Sequence, residues 1–161
     1  MKSKGWHNRV LVIGYGNTLR GDDGFGPYVA SLLSDQLAFE WVTIQSLQQL
    51  TPDLAEHVAR HEVTILIDAQ EGDSPGTIHH HVIQTPDSAS PTYHHHITPE
   101  VLAGVTKALY GKDPDLRLYS VEAVSFEIGE GLSPAAASAV QAVIQEIMEF
   151  LQGKSQARCY C

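Results

Sequence analysis

The chain has 161 residues and a formal net charge of -9 with its nine histidines counted neutral, and 43% of it is apolar. That length suits one domain with a substantial hydrophobic core, and the ordinary apolar and charged fractions exclude the disordered, collagenous and coiled-coil classes. No patch gathers the ten Lys and Arg residues, which disfavours nucleic acid as a partner and leaves a cation or a basic peptide as the better fit.

No apolar run approaches the roughly 18 residues of a membrane span, and no charged segment followed by an apolar stretch opens the chain. The expectation is a cytoplasmic protein with no membrane partner. Both cysteines, Cys159 and Cys161, fall in "GKSQARCYC". This stretch lacks a helical period, so residues 1–152 are expected to form the domain and 153–161 a polar, mobile tail rather than a metal or redox motif.

In chain order, apolar runs of strand length alternate with stretches of helical period, the pattern of a layered α/β domain with a mostly parallel, five-stranded sheet. A first strand spans about Arg9 to Tyr15, and Phe25, Tyr28, Val29, Leu32 and Leu33 then keep the spacing of a helix that covers a sheet. "WVTIQSL" is the second strand, and "EVTILIDA" the third, apolar enough to be central. "TIHHHVIQ" is the fourth and "LRLYSVEAV" the fifth. Thr51-Pro52, Thr98-Pro99 and Ser133-Pro134 each mark a helix start, with a hydroxyl to cap free N–H groups and a proline where a missing N–H does no harm. The last helix should end near Leu151, with Val140, Val143, Ile144, Ile147 and Leu151 as its buried stripe.

The loop "GYGNTLRGDDGFG", Gly14 to Gly26, opens like a nucleotide-binding loop and then turns acidic. A dinucleotide fingerprint needs a third glycine where Leu19 stands, and a carboxylate at the end of the second strand, where the chain reads "IQSLQQL". Asp22 and Asp23 would also repel a pyrophosphate. A cation suits the loop better. Ligands of open α/β sheets sit beyond the carboxyl ends of the strands, where strand order reverses. Asp22 and Asp23 follow the first strand and Asp68 ends the third, so a 2-1-3 strand order would bring these carboxylates to one switch point. For each of them a structural role remains open: Asp68 in a turn, Asp22 and Asp23 as caps of the first helix.

Six histidines form two runs, His79 to His81 and His94 to His96. The first reads as solvated imidazoles on a loose edge strand, because no carboxylate or cysteine stands at ligand spacing beside it. The second directly precedes the Thr98-Pro99 helix start, in a loop at the ligand-bearing end of the sheet. Two aspartates and one imidazole can hold a borderline cation such as nickel or zinc, with positions left open for water or a substrate's own ligands. There is no G-x-S-x-G elbow and no H-E-x-x-H helix, and both cysteines lie in the tail, so no serine, cysteine or zinc-helix catalytic setting is recognisable.

From "VLVIGYGNTLRGDDGFGPYVA" through "QQLTPDLAE", "ILIDAQ" and "HHITPEVLAGV" to "GEGLSP", the chain resembles the maturation endopeptidases of nickel-iron hydrogenases. The resemblance is greatest to the branch serving the cyanobacterial bidirectional enzyme. It implies a three-layer α/β/α domain that removes a short C-terminal extension from the hydrogenase large-subunit precursor after nickel insertion. It further implies that Asp23, Asp68 and His95 contact a nickel ion carried by the precursor's cysteines, with Asp23 or Asp68 as base. His95 keeps the family's interval to Pro99 and Leu102, while a shift of one residue would select His94 or His96. Where the family often has a "DGG" segment this chain has "QSLQQLTPDL", which makes Gln48 and Gln49, together with Asn17, the candidate peptide-binding residues. Zinc or cadmium would be surrogates for the nickel, and a monomer is expected. A nickel carrier or a non-catalytic adaptor for the immature subunit could use the same cleft.

Overall fold

The computed structural model describes residues 9–87 and 97–159. Its strands are β1 (Val10–Tyr15), β2 (Val42–Leu47), β3 (Val63–Gln70), β4 (Ile78–Val82) and β5 (Asp115–Glu122), and its helices α1 (Phe25–Gln36), α2 (Leu54–Ala59), α3 (Pro99–Tyr110) and α4 (Pro134–Cys159). They form one mostly parallel sheet, as expected, in the order β2-β1-β3-β5-β4, and among the described residues β4 alone runs antiparallel. Strand order therefore reverses between β1 and β3, because the chain leaves β1 for β2 on one side and returns to β3 on the other.

Period-two alternation sends the two faces of β1 and β3 to different helix layers. Val10 and Val12 with Val63, Ile65 and Ile67 pack under α1 and α4, whereas Leu11, Ile13 and Leu66 pack under α2 and α3. All five residues of the expected α4 stripe are buried. Tyr28 is not: it is 49% exposed, because a helix on a flat sheet hides only the stripe that Phe25, Val29 and Leu33 already fill.

The glycines of the opening loop serve close packing. A Cβ on Gly14 would lie 2.0 Å from the Gly26 carbonyl oxygen, and one on Gly26 would lie 2.2 Å from that of Ile67. These glycines thus let the start of α1 rest directly on β1 and β3.

Two expected helix starts are capped as read. The Thr98 hydroxyl accepts from Val101 N–H at 3.3 Å and the Ser133 hydroxyl from Ala136 N–H at 3.2 Å. The third differs. Thr51 gives its side-chain hydrogen bond to the Asp53 carboxylate, so a turn intervenes and α2 starts only at Leu54. The last helix differs as well, continuing past Leu151 to Cys159. Its final turns hold to the body through Lys154, which pairs with Glu62 and lies 5.8 Å from the centre of the Phe150 ring.

Strand β4 is the edge strand, as expected, and His80 and His81 are exposed on it, but the histidine run does not lack a carboxylate. Antiparallel pairing with β5 sets His79 Nε2 2.7 Å from Glu122 Oε1 and stacks His80 on Tyr119 at 4.1 Å. The missing carboxylate comes from a neighbouring strand, which spacing along β4 alone cannot reveal.

Candidate active site

At the carboxyl ends of β1 and β3 the alternation turns functional. Gly14 points under α1, so Tyr15, the next residue, points to the α2/α3 side. Pairing of Gly14 with Ile67 puts Asp68 beside Tyr15, on that same side. The Tyr15 hydroxyl donates to the Asp68 carboxylate, and the Ala69 N–H donates to Asp68 Oδ1 at 2.8 Å. Burial outweighs both donors and, with the charge of Asp23 adding to it, pushes the Asp68 carboxyl up to about 6. Burial, followed by the Asp68 charge, likewise drives the Tyr15 phenol far above its ordinary value. Tyr15 therefore stays neutral and acts as a donor.

Asp23 arrives from a single turn of 3-10 helix, Gly21–Gly24, between β1 and α1. Its Oδ2 accepts from Asn17 N–H at 2.8 Å. Gly16 makes that approach possible: its φ is +142°, and a Cβ there would lie 1.9 Å from the Asp23 carbonyl oxygen. Asp23 and Asp68 line one cleft of about 490 Å3, with Tyr15, Arg20, Asn17, Gln48 and Gln49 around them. Asn17 Oδ1 accepts from the Leu19 N–H at 3.0 Å, which leaves its amide nitrogen and one lone pair of that oxygen to meet a ligand.

Asp22 behaves differently from its neighbour. It is 1% exposed and accepts from Val124 N–H at 2.8 Å, Ser133 N–H at 2.7 Å and the Ser133 hydroxyl at 2.8 Å. Neither a helix cap nor a cleft residue, it ties the acidic turn to the segment between β5 and α4. Burial opposes its charge, but the hydrogen bonds from Ser133, Val124 and Ser125 together hold its carboxyl below the usual range.

His94, His95 and His96 lie outside the described residues, as does Cys161. Ile97, Thr98 and Pro99, which follow the histidine run directly, line the cleft. Among the described residues no three His, Cys, Asp or Glu side chains come together as a metal site. The donor chemistry still suits a cation: two carboxylates, one from the 3-10 turn after β1 and one from β3, face one space, and no ammonium or guanidinium pairs with either among the described residues. Sequence reasoning missed Tyr15 and Arg20. Alternation along β1 after Gly14 could have placed Tyr15, but nothing in the local pattern marked Arg20.

No protein-family model and no curated protein sequence matches the chain. Solved structures do. One is the hydrogenase 2 maturation peptidase from Thaumarchaeota archaeon SCGC_AB-539-E09, 28% identical, with a TM-score of 0.70 over 89% of this chain and 98% of that one. Another is the hydrogenase maturating endopeptidase HybD from E. coli, at 25% identity and a TM-score of 0.69 over 90% and 93%. The [NiFe] hydrogenase maturation protease HycI from Thermococcus kodakarensis KOD1 shares the fold at 23% identity, with a TM-score of 0.71 over 90% and 93%. Over nearly its whole length, the chain has the five-stranded α/β architecture of nickel-iron hydrogenase maturation proteases, and these are its structural neighbours.

Proposed function

We propose that this chain is an endopeptidase, a peptide hydrolase that removes the C-terminal extension of a nickel-iron hydrogenase large-subunit precursor after nickel insertion. It works as a cytoplasmic monomer, in the branch serving the bidirectional hydrogenase of cyanobacterial type. The carrying observation is the meeting of Asp23 and Asp68 in one cleft, with Asp68 half-buried beside a second carboxylate and no cation paired to it among the described residues. A carboxylate so destabilised is a strong ligand for an arriving cation.

The nickel is part of the substrate. The precursor brings it on its cysteines, and Asp23, Asp68 and the imidazole of His95 complete its coordination. Zinc or cadmium can imitate it. Only a loaded precursor then seats its scissile bond in the cleft, where the substrate's nickel would supply Lewis-acid chemistry to the carbonyl or to a water, and one aspartate takes a proton from the attacking water. Tyr15 and the Ala69 N–H keep Asp68 turned towards that space. Gln48, Gln49 and the Asn17 amide are the groups at hand for the peptide backbone.

The test is to incubate the purified protein with nickel-loaded and nickel-free precursor and follow substrate mass. Loss of a C-terminal peptide from the loaded precursor alone is the expected result. A loaded precursor that binds and keeps its full mass would replace this reading with that of an adaptor, and tight nickel binding without precursor or cleavage would favour a carrier.

A further inference from the structure

We infer that Arg20 is a catalytic residue of this cleft, whose guanidinium receives the scissile carbonyl oxygen and stabilises the negative charge that develops on it. The inference rests on the endopeptidase reading above.

Arg20 lies just before the 3-10 turn that carries Asp23, and its backbone is held on both sides. Its N–H donates to the Asn17 carbonyl at 3.0 Å, its own carbonyl accepts from Asp23 N–H at 3.1 Å, and it bridges to Gly129. The side chain is held too: Nε donates to the Phe126 carbonyl at 3.1 Å. One of five guanidinium donors is thereby used, and the remaining donors sit on the two terminal nitrogens.

Other cations of the described residues have partners. Arg60 pairs with Glu56, Arg117 with Asp115, Lys107 with Asp113 and Lys154 with Glu62, while Lys112 binds the carbonyls of Ala59 and His61. Arg20 makes no ion pair among the described residues, although Asp23 and Asp68 line the same cleft. Arg20 lines both this cleft and the adjoining groove, and its tether runs to Phe126 in that groove rather than to either aspartate. A guanidinium bound to either aspartate would cancel that carboxylate's attraction for a cation. Placed as it is, Arg20 instead offers donors to an acceptor oxygen that enters the cleft beside the carboxylates.

Peptide hydrolysis creates such an oxygen. As the water oxygen bonds to the carbonyl carbon, the carbonyl π pair moves onto oxygen, and an aspartate takes the water's proton. The pair then returns, the C–N bond breaks, and the proton passes to the leaving nitrogen, giving an acid and an amine. Donors fixed in advance at the charged oxygen lower the barrier because nothing must reorganise to meet the charge. Arg20 is an exposed side chain, and the Nε bond to Phe126 restricts its range.

The test measures kcat and KM on nickel-loaded precursor for the wild type, Arg20→Gln and Arg20→Lys, together with the melting temperature of each. Arg20→Gln should lower kcat by about 10²- to 10³-fold, with KM held within about threefold. Arg20→Lys, which keeps the charge without the planar fork, should recover part of the loss. An unchanged kcat in Arg20→Gln, a rise confined to KM, or losses that merely track melting temperature in both variants would each overturn the assignment. A wild-type protein that leaves the loaded precursor intact would overturn the endopeptidase reading itself, before Arg20 is tested.

Discussion

Asp22 and Asp68 are both drawn away from water, one in the acidic turn and the other at the end of β3, yet their carboxyls shift in opposite directions. Around Asp22 the fold closes with donors from Val124 and Ser133 that settle its charge. Around Asp68 it supplies one backbone N–H and the Tyr15 hydroxyl, and sets the Asp23 charge nearby. Burial alone therefore does not mark a functional carboxylate. What marks it is burial that the protein leaves uncompensated, beside a space that a ligand can enter.

The largest effect that would sharpen this contrast is expected from Asp68→Asn. Processing of the nickel-loaded precursor should be abolished, while the free protein becomes more stable at neutral pH, as chemical denaturation would reveal. Retained processing would remove Asp68 from the site. Asp22→Ala should act the other way, lowering stability by about 3 kcal/mol because the donors of Val124 and Ser133 are left buried without an acceptor. A loss below about 1 kcal/mol would show that these donors find other partners.

The pH dependence should separate the two residues. With its carboxyl raised to about 6, Asp68 keeps its proton longer in the folded than in the unfolded chain. Its contribution is thus most favourable below about pH 4 and is lost as pH rises through about 6, a change of up to about 3 kcal/mol in the free protein. Asp22, shifted downward, adds stability above the ordinary carboxyl range and loses it as pH falls. Denaturation midpoints measured from pH 3 to pH 8 should accordingly lose the decline between about 4 and 6 in Asp68→Asn and keep it in Asp22→Ala.

The smallest change concerns a buried polar atom with neither donors nor a ligand. Thr64 Oγ1 on β3 is buried and has no hydrogen-bond partner among the described residues. Thr64→Val should leave processing intact and raise stability by about 1 kcal/mol, read as a higher melting temperature. Lower stability would mean that the hydroxyl is satisfied after all.

Much of this arrangement was written in the sequence. Apolar alternation and run length determined the strands, their order of appearance and the buried stripe of α4, because a strand or helix must hide one side wherever it packs. The Thr98-Pro99 and Ser133-Pro134 signals worked because a cap depends only on neighbours a few residues away. The acidic pair in the loop Gly14 to Gly26 and the carboxylate ending the third strand pointed to one switch point, where Asp23 and Asp68 line a cleft. Tertiary structure alone decided the rest. The division of labour between Asp22 and Asp23 depends on Val124 and Ser133, more than a hundred residues further along the chain. The partner of His79 comes from β5, and the hold on the last turns of α4 comes from Glu62. The roles of Tyr15 and Arg20 likewise follow from strand register and from a carbonyl at Phe126. Local pattern specifies local geometry, whereas the state of a charge is set by whatever donors and burial the whole fold brings to it.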